Sequence, residues 1–454
     1  MTDSAAVQDI PGDERRFDAG HLAWGILLIA FAVFCSLCVV FGVGLNYFLF
    51  QSTVPMQSRV IVGRGTVTWT DATLISQATR SQVDLFSSAV ISTDSISQAN
   101  LTVIDQYHEL MIASITIKSG SSIDLDQSAR PRFDWSSARY TVSFENVRGE
   151  FDVMIPRDLG RETWITFYTP ENAIVRLVRP GQYTVRAVGD QVQVINYAGE
   201  AQITIGGDNP NYAVPPGQRG TIQLSDMSYA MQPARANWLG SMTFDTTNVV
   251  DAGTSGTPNM QVWGCTNQQN ELPGGYFALT QIDGISALRM ERGGGANSHG
   301  ATSCIQYIVG GSGQQGRDVS GYSYLGVRAT FRIFGHSLSV CGADGSECPL
   351  MLRMEYVPMN GGVAKEWIHG FFTRIIAGYD EYPMSCDSCT IDHEIVNEGA
   401  WYTYESGNLL TLMSEDQRPR SILNFRFYAS GHEYDVVVSE MALLVGSANP
   451  ITSN

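Results

Sequence analysis

The sequence predicts a mainly β chain that carries one transmembrane helix near its N-terminus and two successive β-rich modules after it. Three observations lead to this reading. About 29 residues from Leu22 to Phe50 include no Asp, Glu, Lys or Arg. Beyond them, short runs of β-branched and aromatic residues alternate with polar ones and stop at Gly, Pro, Asn or Asp. Only 16% of the residues are charged and Gly reaches 45, the composition of a folded β-rich protein rather than a disordered one. At 454 residues the chain exceeds one ordinary core, so about two or three domains are expected.

The apolar run would extend roughly 43 Å as a helix, more than the ~30 Å hydrocarbon core, so its ends lie in the interface or it tilts. Trp24 and Tyr47 sit where interfacial anchors are expected. A cleaved signal peptide would carry an apolar segment of only about 7–15 residues. Arg15 and Arg16 precede the span and the first basic residue after it is Arg59, which favours a cytoplasmic N-terminus with the bulk of the chain extracytoplasmic, at the plasma membrane.

The expected organisation is a cytoplasmic tail over 1–21, the helix over 22–50, a tether over 51–59, a first β module over 60–226, a linker over 227–237, a second β module over 238–446 and a tail over 447–454. In the first module, Val60, Val62, Thr66 and Thr68 alternate around Gly63 and Gly65. Strand-like runs continue through SITIKSGSSIDL, RYTVSFENVRGEFDVMIP and ETWITFYTP, with one helix-like stretch from Ile104 to Ile112. Between Pro170 and Asp226, strands of about five to seven residues alternate with PG, GD, AG and PPG turns, the pattern of consecutive hairpins or solenoid coils.

The segments VRPGQYTVRAVGDQVQVINYAGEAQI and AVPPGQRGTIQL resemble the FecR-type domain, over about residues 60–226 and most closely after Pro170. That resemblance implies an extracytoplasmic β-rich module of the kind that relays signals across a bacterial envelope. One departure matters. FecR-like regulators of sigma factors carry a folded cytoplasmic segment before the span, whereas about 20 residues with Pro11 and Gly12 are too few for such a domain, so that activity is not carried over.

The second module has longer strands, among them SALRMER, YLGVRATFRIFG, LMLRMEYVP, LNFRFYASG and YDVVVSEMALLVG. Their layout resembles a jelly-roll β-sandwich of the galactose-binding or carbohydrate-binding-module kind, which implies glycan binding. Six cysteines fall here, an even number in a region expected to face an oxidising compartment. Disulfides are the leading reading, and proximity pairs Cys265 with Cys304, Cys341 with Cys348, and Cys386 with Cys389. The Cys386-Asp-Ser-Cys389 spacing also suits zinc, but no second CxxC accompanies it.

A charge of −17 and a pI near 4.8 exclude a nucleic-acid partner, which would need clustered Lys and Arg. No GxSxG, HExxH or Walker-type motif occurs, so no enzyme is expected. Sugar binding uses exposed aromatic faces with a few planar polar groups. Trp367, Trp401, Tyr404, Tyr428 and His432 are the expected ligand-binding residues, although strand alternation turns about half of such a set inward. Asp245 and Glu440 occupy roughly the places at which jelly rolls hold structural calcium, but without a calcium loop no metal or other cofactor is assigned. Asn100-Leu101-Thr102 has the form of a glycosylation acceptor. The expected partners are the lipid bilayer and an envelope glycan or protein. The expected work is recognition, with signal relay and a structural role in a surface assembly as alternatives.

Overall fold

The computed structural model describes residues 19–446 except 72–74, 86–87, 207–210, 256–261, 270, 311–315, 380, 388 and 390. The chain is mainly β, as the alternation predicts. The described residues divide into two compact units, one of residues 19–54 with 131–138 and the other of the remaining described residues.

The first unit contains the long helix Ala19–Phe50, apolar and exposed along its length and long enough to cross a membrane. Its backbone ladder ends where the N–H groups of Gln51 and Ser52 both donate to Tyr47 O. The loop 131–138 belongs to this unit.

The second unit opens with a β module in which two sets of strands share one long strand, Tyr140–Ile155. The first half of that strand pairs with Ser122–Pro131 and Thr163–Tyr168, and its second half with Leu110–Ile117 and Gly181–Val188. The pairings close through it into a barrel. The chain can change sheets because a bulge lies between Glu145 and Arg148, with Asn146 at φ +49° and Gly149 at φ +106°. A Cβ at Gly149 would lie 2.2 Å from Ser121 Oγ, so glycine is also a steric requirement there. Val60, Leu101, Ile115, Phe144, Phe151 and Val185 fill the interior.

The stretch from Ile104 to Ile112 is a hairpin, not a helix. The strand Gln98–Asp105 turns at residues 106–109 and returns as Leu110–Ile117. Asp105 accepts hydrogen bonds from Tyr107 N–H and from the His108 ring, and Glu109 takes φ +55°, so local turn chemistry outweighs the short apolar period.

Residues 228–233 form a strand against Gln218–Gln223, and Ala236–Asn237 adds to the final strand Tyr434–Gly446. Two sheets then build a sandwich around Trp263, Phe331, Leu352, Phe427 and Val438. The final strand lies between Ile285–Arg292 and Tyr324–His336 in one sheet, and Pro419–Gly431 lies between Gly300–Tyr307 and Leu350–Pro358 in the other. The three disulfides are Cys265–Cys304, Cys341–Cys348 and Cys386–Cys389, the pairs expected from proximity. The first joins residues directly opposite one another on antiparallel strands.

Barrel and sandwich meet through backbone-specific contacts. The Gln98 side chain donates to Thr403 O and accepts from Thr403 N–H, at 2.9 and 2.7 Å, as a strand would. Asn397 reaches the carbonyls of Val62 and Gly63. Arg64 pairs with Glu394 at 2.9 Å, and a Cβ on Gly63 would come within 2.7 Å of Trp401 O.

Candidate functional site

A recessed cleft of about 810 Å³ lies between the barrel and the sandwich. One wall is the outward face of three adjoining barrel strands. Register places Thr102 opposite Ser114 and Asn100 opposite Thr116, and extends these two rows to Met154 and Asp152. Alternation makes these residues share a face, and in the sequence that face has the look of a solvated one. Its polar groups are interlocked: Asn100 donates to Ser114 Oγ at 2.8 Å and accepts from Thr102 Oγ1 at 2.9 Å. Asn100 is 2% exposed, so the glycosylation acceptor sequence is sequestered inside the fold.

The facing wall comes from the sandwich, where register sets Thr330 opposite both Thr403 and Glu440. Thr330 Oγ1 lies 3.0 Å from Thr403 Oγ1 and donates to Glu440 at 3.2 Å. Hydroxyl-bearing ladders from both modules therefore line the cleft, together with the edges of the largely buried Trp401, Tyr183 and Phe244. Such a surface can match alternating hydroxyl and C–H faces of a ligand.

A charge cluster centred on buried Arg328, Asp152 and Glu440 spans the two modules beside this cleft. Arg328 Nη1 lies 3.1 Å from Asp152 of the barrel and 3.1 Å from Glu405, while Nε lies 2.8 Å from Glu440. Lys118 Nζ lies 2.9 Å from Asp152, 2.7 Å from Glu405 and 3.8 Å from Glu150. Two largely buried cations thus face four carboxylates, and exposed Arg186 approaches one of them, Glu150, at 3.9 Å. Burial opposes the charge on Lys118, but Asp152 and Glu405 outweigh it and raise its pKa. Burial also opposes the Asp152 carboxylate, yet Arg328 and Lys118 draw it down to about 2. Glu440 moves the other way, because burial raises it, Arg328 pulls it back only in part and Asp152 adds to the rise.

The residues expected to bind ligand are placed differently. Trp367, Trp401 and Tyr404 are 1%, 4% and 4% exposed. Tyr404 stacks on His369 at 4.6 Å and meets Phe371 edge-on at 5.0 Å, inside the same sandwich core that contains Trp367. These rings offer no open stacking face. Trp401 packs with Ala287 and Val437, and its indole N–H donates to Asp283 at 3.4 Å; of the five it alone lines the cleft. Tyr428 is half-buried with Arg426 over its ring, and half-buried His432 has Nδ1 3.3 Å from Ala296 O.

Asp245 is exposed and accepts from Thr247 N–H in a turn, while buried Glu440 is bound to Arg328. Among the described residues, the groups with metal-ligand spacing centre instead on His393, between Cys341–Cys348 and Cys386–Cys389. The cysteines are joined as disulfides. The imidazole accepts from Gly370 N–H at Nδ1 and lies 2.7 Å from Gly345 O at Nε2, so as the Nε2–H tautomer it braces the loop at Gly345 against the strand Lys365–Phe372. Sequence reasoning missed the cleft because its residues are ordinary Ser, Thr and Asn on strand faces.

The site thus defines a β-rich protein with a polar cleft and an apolar N-terminal helix. No protein-family model matches the chain, and no curated protein matches it. Among solved structures, it is similar to a candidate anti-sigma factor from Parabacteroides distasonis at 14% identity and a TM-score of 0.24, over 32% of this chain and 59% of that one. It is also similar to a family 11 carbohydrate-binding module from Clostridium thermocellum, in complex with a β-1,3-1,4-mixed-linked tetrasaccharide, at 13% identity and a TM-score of 0.23, over 46% of this chain and 96% of that one. With TM-scores this low, neither match assigns a ligand or an activity to this chain.

Proposed function

We propose that the chain is a single-pass plasma-membrane protein whose extracytoplasmic β-rich unit recognises a hydroxyl-rich ligand, an envelope glycan, in the cleft between barrel and sandwich. The observation that carries this is the pair of ladders, Asn100, Thr102, Ser114 and Thr116 with Thr330 and Thr403, lining a cleft of about 810 Å³. Anchoring by the apolar helix and an oxidising location for the three disulfides support the placement. We read the cleft as a binding site rather than a reaction centre, because Asp152 and Glu440 are both committed to Arg328.

A FecR-like relay is the second reading, favoured by one observation. Arg328 clamps a barrel carboxylate and a sandwich carboxylate at once, so a ligand in the cleft would bear on both modules.

The test is a glycan-array screen of the full chain in nanodiscs, with Thr102→Ala/Ser114→Ala as the cleft variant. Two lost hydrogen bonds at about 0.5–1.5 kcal/mol each correspond to roughly fivefold to a hundredfold weaker binding, read below a thermal midpoint that itself falls because both hydroxyls are partners of buried Asn100. Glycan binding undiminished in that variant would move the site elsewhere. A blank array would replace the glycan with a protein partner or an assembly role.

A further inference from the structure

The loop between strands Ser122–Pro131 and Tyr140–Ile155 lies against the end of the long helix and presents aromatic rings there. Arg132 N–H donates to Ser52 O at 2.9 Å, and Ser136 Oγ donates to Phe50 O. The loop is thereby held to the final turn and the residue pair beyond it. Phe133 meets Phe48 of the helix edge-on at 5.5 Å, and Trp135 stacks on Phe133 at 4.6 Å and 12°. The Arg132 guanidinium sits over the Phe48 ring at 5.5 Å. Despite this order, Trp135 is 64% exposed, an indole fixed in position with its outer face uncovered.

The level of this cluster follows from the helix. Trp24 and Tyr47 stand 23 residues apart, roughly 35 Å along the axis, which matches a ~30 Å hydrocarbon core with one aromatic belt at each interface. Phe48 adjoins Tyr47, so the rings it contacts lie at the headgroup level. Indole is the side chain best suited to that layer, with an apolar body and one N–H donor.

We infer that residues 131–138 form a second membrane contact, with Phe133 and Trp135 seated in the lipid headgroup layer beside the helix. This rests on the membrane-anchor reading of the helix. The occupant is the bilayer interface itself, and the attraction is apolar rather than electrostatic, because the loop offers one cation and one anion, Arg132 and Asp134. Contact should therefore be insensitive to salt and to the proportion of anionic lipid.

The experiment uses the full chain reconstituted in phosphatidylcholine vesicles, with and without lipid brominated at a shallow acyl carbon. The Trp135 signal is isolated as the difference between wild type and Trp135→Phe. The expected difference emission is blue-shifted, is quenched by the brominated lipid and is shielded from aqueous iodide, unchanged at high salt. Quenching by iodide with no effect of brominated lipid overturns the inference. Flotation with the vesicles at alkaline pH separates the two readings: a chain that floats while Trp135 reports water keeps its anchor and loses the loop contact. A chain that does not float loses both.

Discussion

Replacing Arg328 by Met tests whether the charge cluster holds barrel and sandwich together. The guanidinium is 6% exposed and contacts Asp152, Glu405 and Glu440 at 3.1, 3.1 and 2.8 Å. Met keeps much of the volume but leaves Lys118 as the one largely buried cation among Asp152, Glu405, Glu440 and Glu150, with exposed Arg186 near Glu150 alone. Stranding buried charges in this way costs about 3–5 kcal/mol, far above the 0–1 kcal/mol typical of an exposed pair. The assay is urea unfolding of the full chain in detergent, followed by tryptophan emission, for Arg328→Met, Glu440→Gln and the double variant. Removing Glu440 should offset part of the Arg328 loss, giving a coupling of about 1–3 kcal/mol. A single-variant loss below about 1 kcal/mol, or additivity within about 0.5 kcal/mol, refutes the cluster as a latch.

The pH dependence of the same variant supplies an independent sign. Asp152, lowered from 3.8 to about 2, contributes stability that is present above its unfolded value and lost as pH falls through its folded one. Glu440, raised above 4.5, contributes oppositely: its stabilising share is complete below the unfolded value and is lost as pH rises through the folded one. Without Arg328 both carboxylates rise. The folded variant then binds more protons than its unfolded chain, and its deficit should be largest at neutral pH and narrow towards about pH 5. A deficit that widens on acidification contradicts the geometry.

Two further outcomes follow from packing. Trp367→Ala should behave as a core deletion, costing about 3–5 kcal/mol in denaturant midpoint, because the indole is 1% exposed; a variant of wild-type stability that has lost glycan binding would restore the aromatic-surface reading. Gly370→Ala would set a Cβ 2.3 Å from Cys348 Sγ and 2.9 Å from His393 Nδ1, and should lower stability by about 1–3 kcal/mol and expose the disulfide loops to proteolysis; an unchanged proteolytic pattern would show that the brace around His393 is soft.

How far the sequence reveals this molecule depends on whether a residue's surroundings are local. The helix is legible because its determinant, an absence of charge over one continuous run, needs no partner. The hairpin Gly181–Ala198 is legible because alternation and the Gly189-Asp190 turn sit side by side. The strand Lys365–Phe372 shows where this stops. Its last six residues are all buried, Trp367 and Phe371 in the sandwich core and Ile368 and Phe372 against the layer around Cys341 and Cys348. A strand covered on both faces carries no alternation from which an exposed ring could be read. The cleft fails for the converse reason. Asn100, Thr102, Ser114 and Thr116 form a clean polar face, which locally means solvent, and only a second sheet turns it into a wall. The contact that fixes that sheet, Arg328 to Asp152, joins positions 176 residues apart. A site made by docking two polar faces therefore leaves its trace in the sequence as an isolated buried cation, not as a motif.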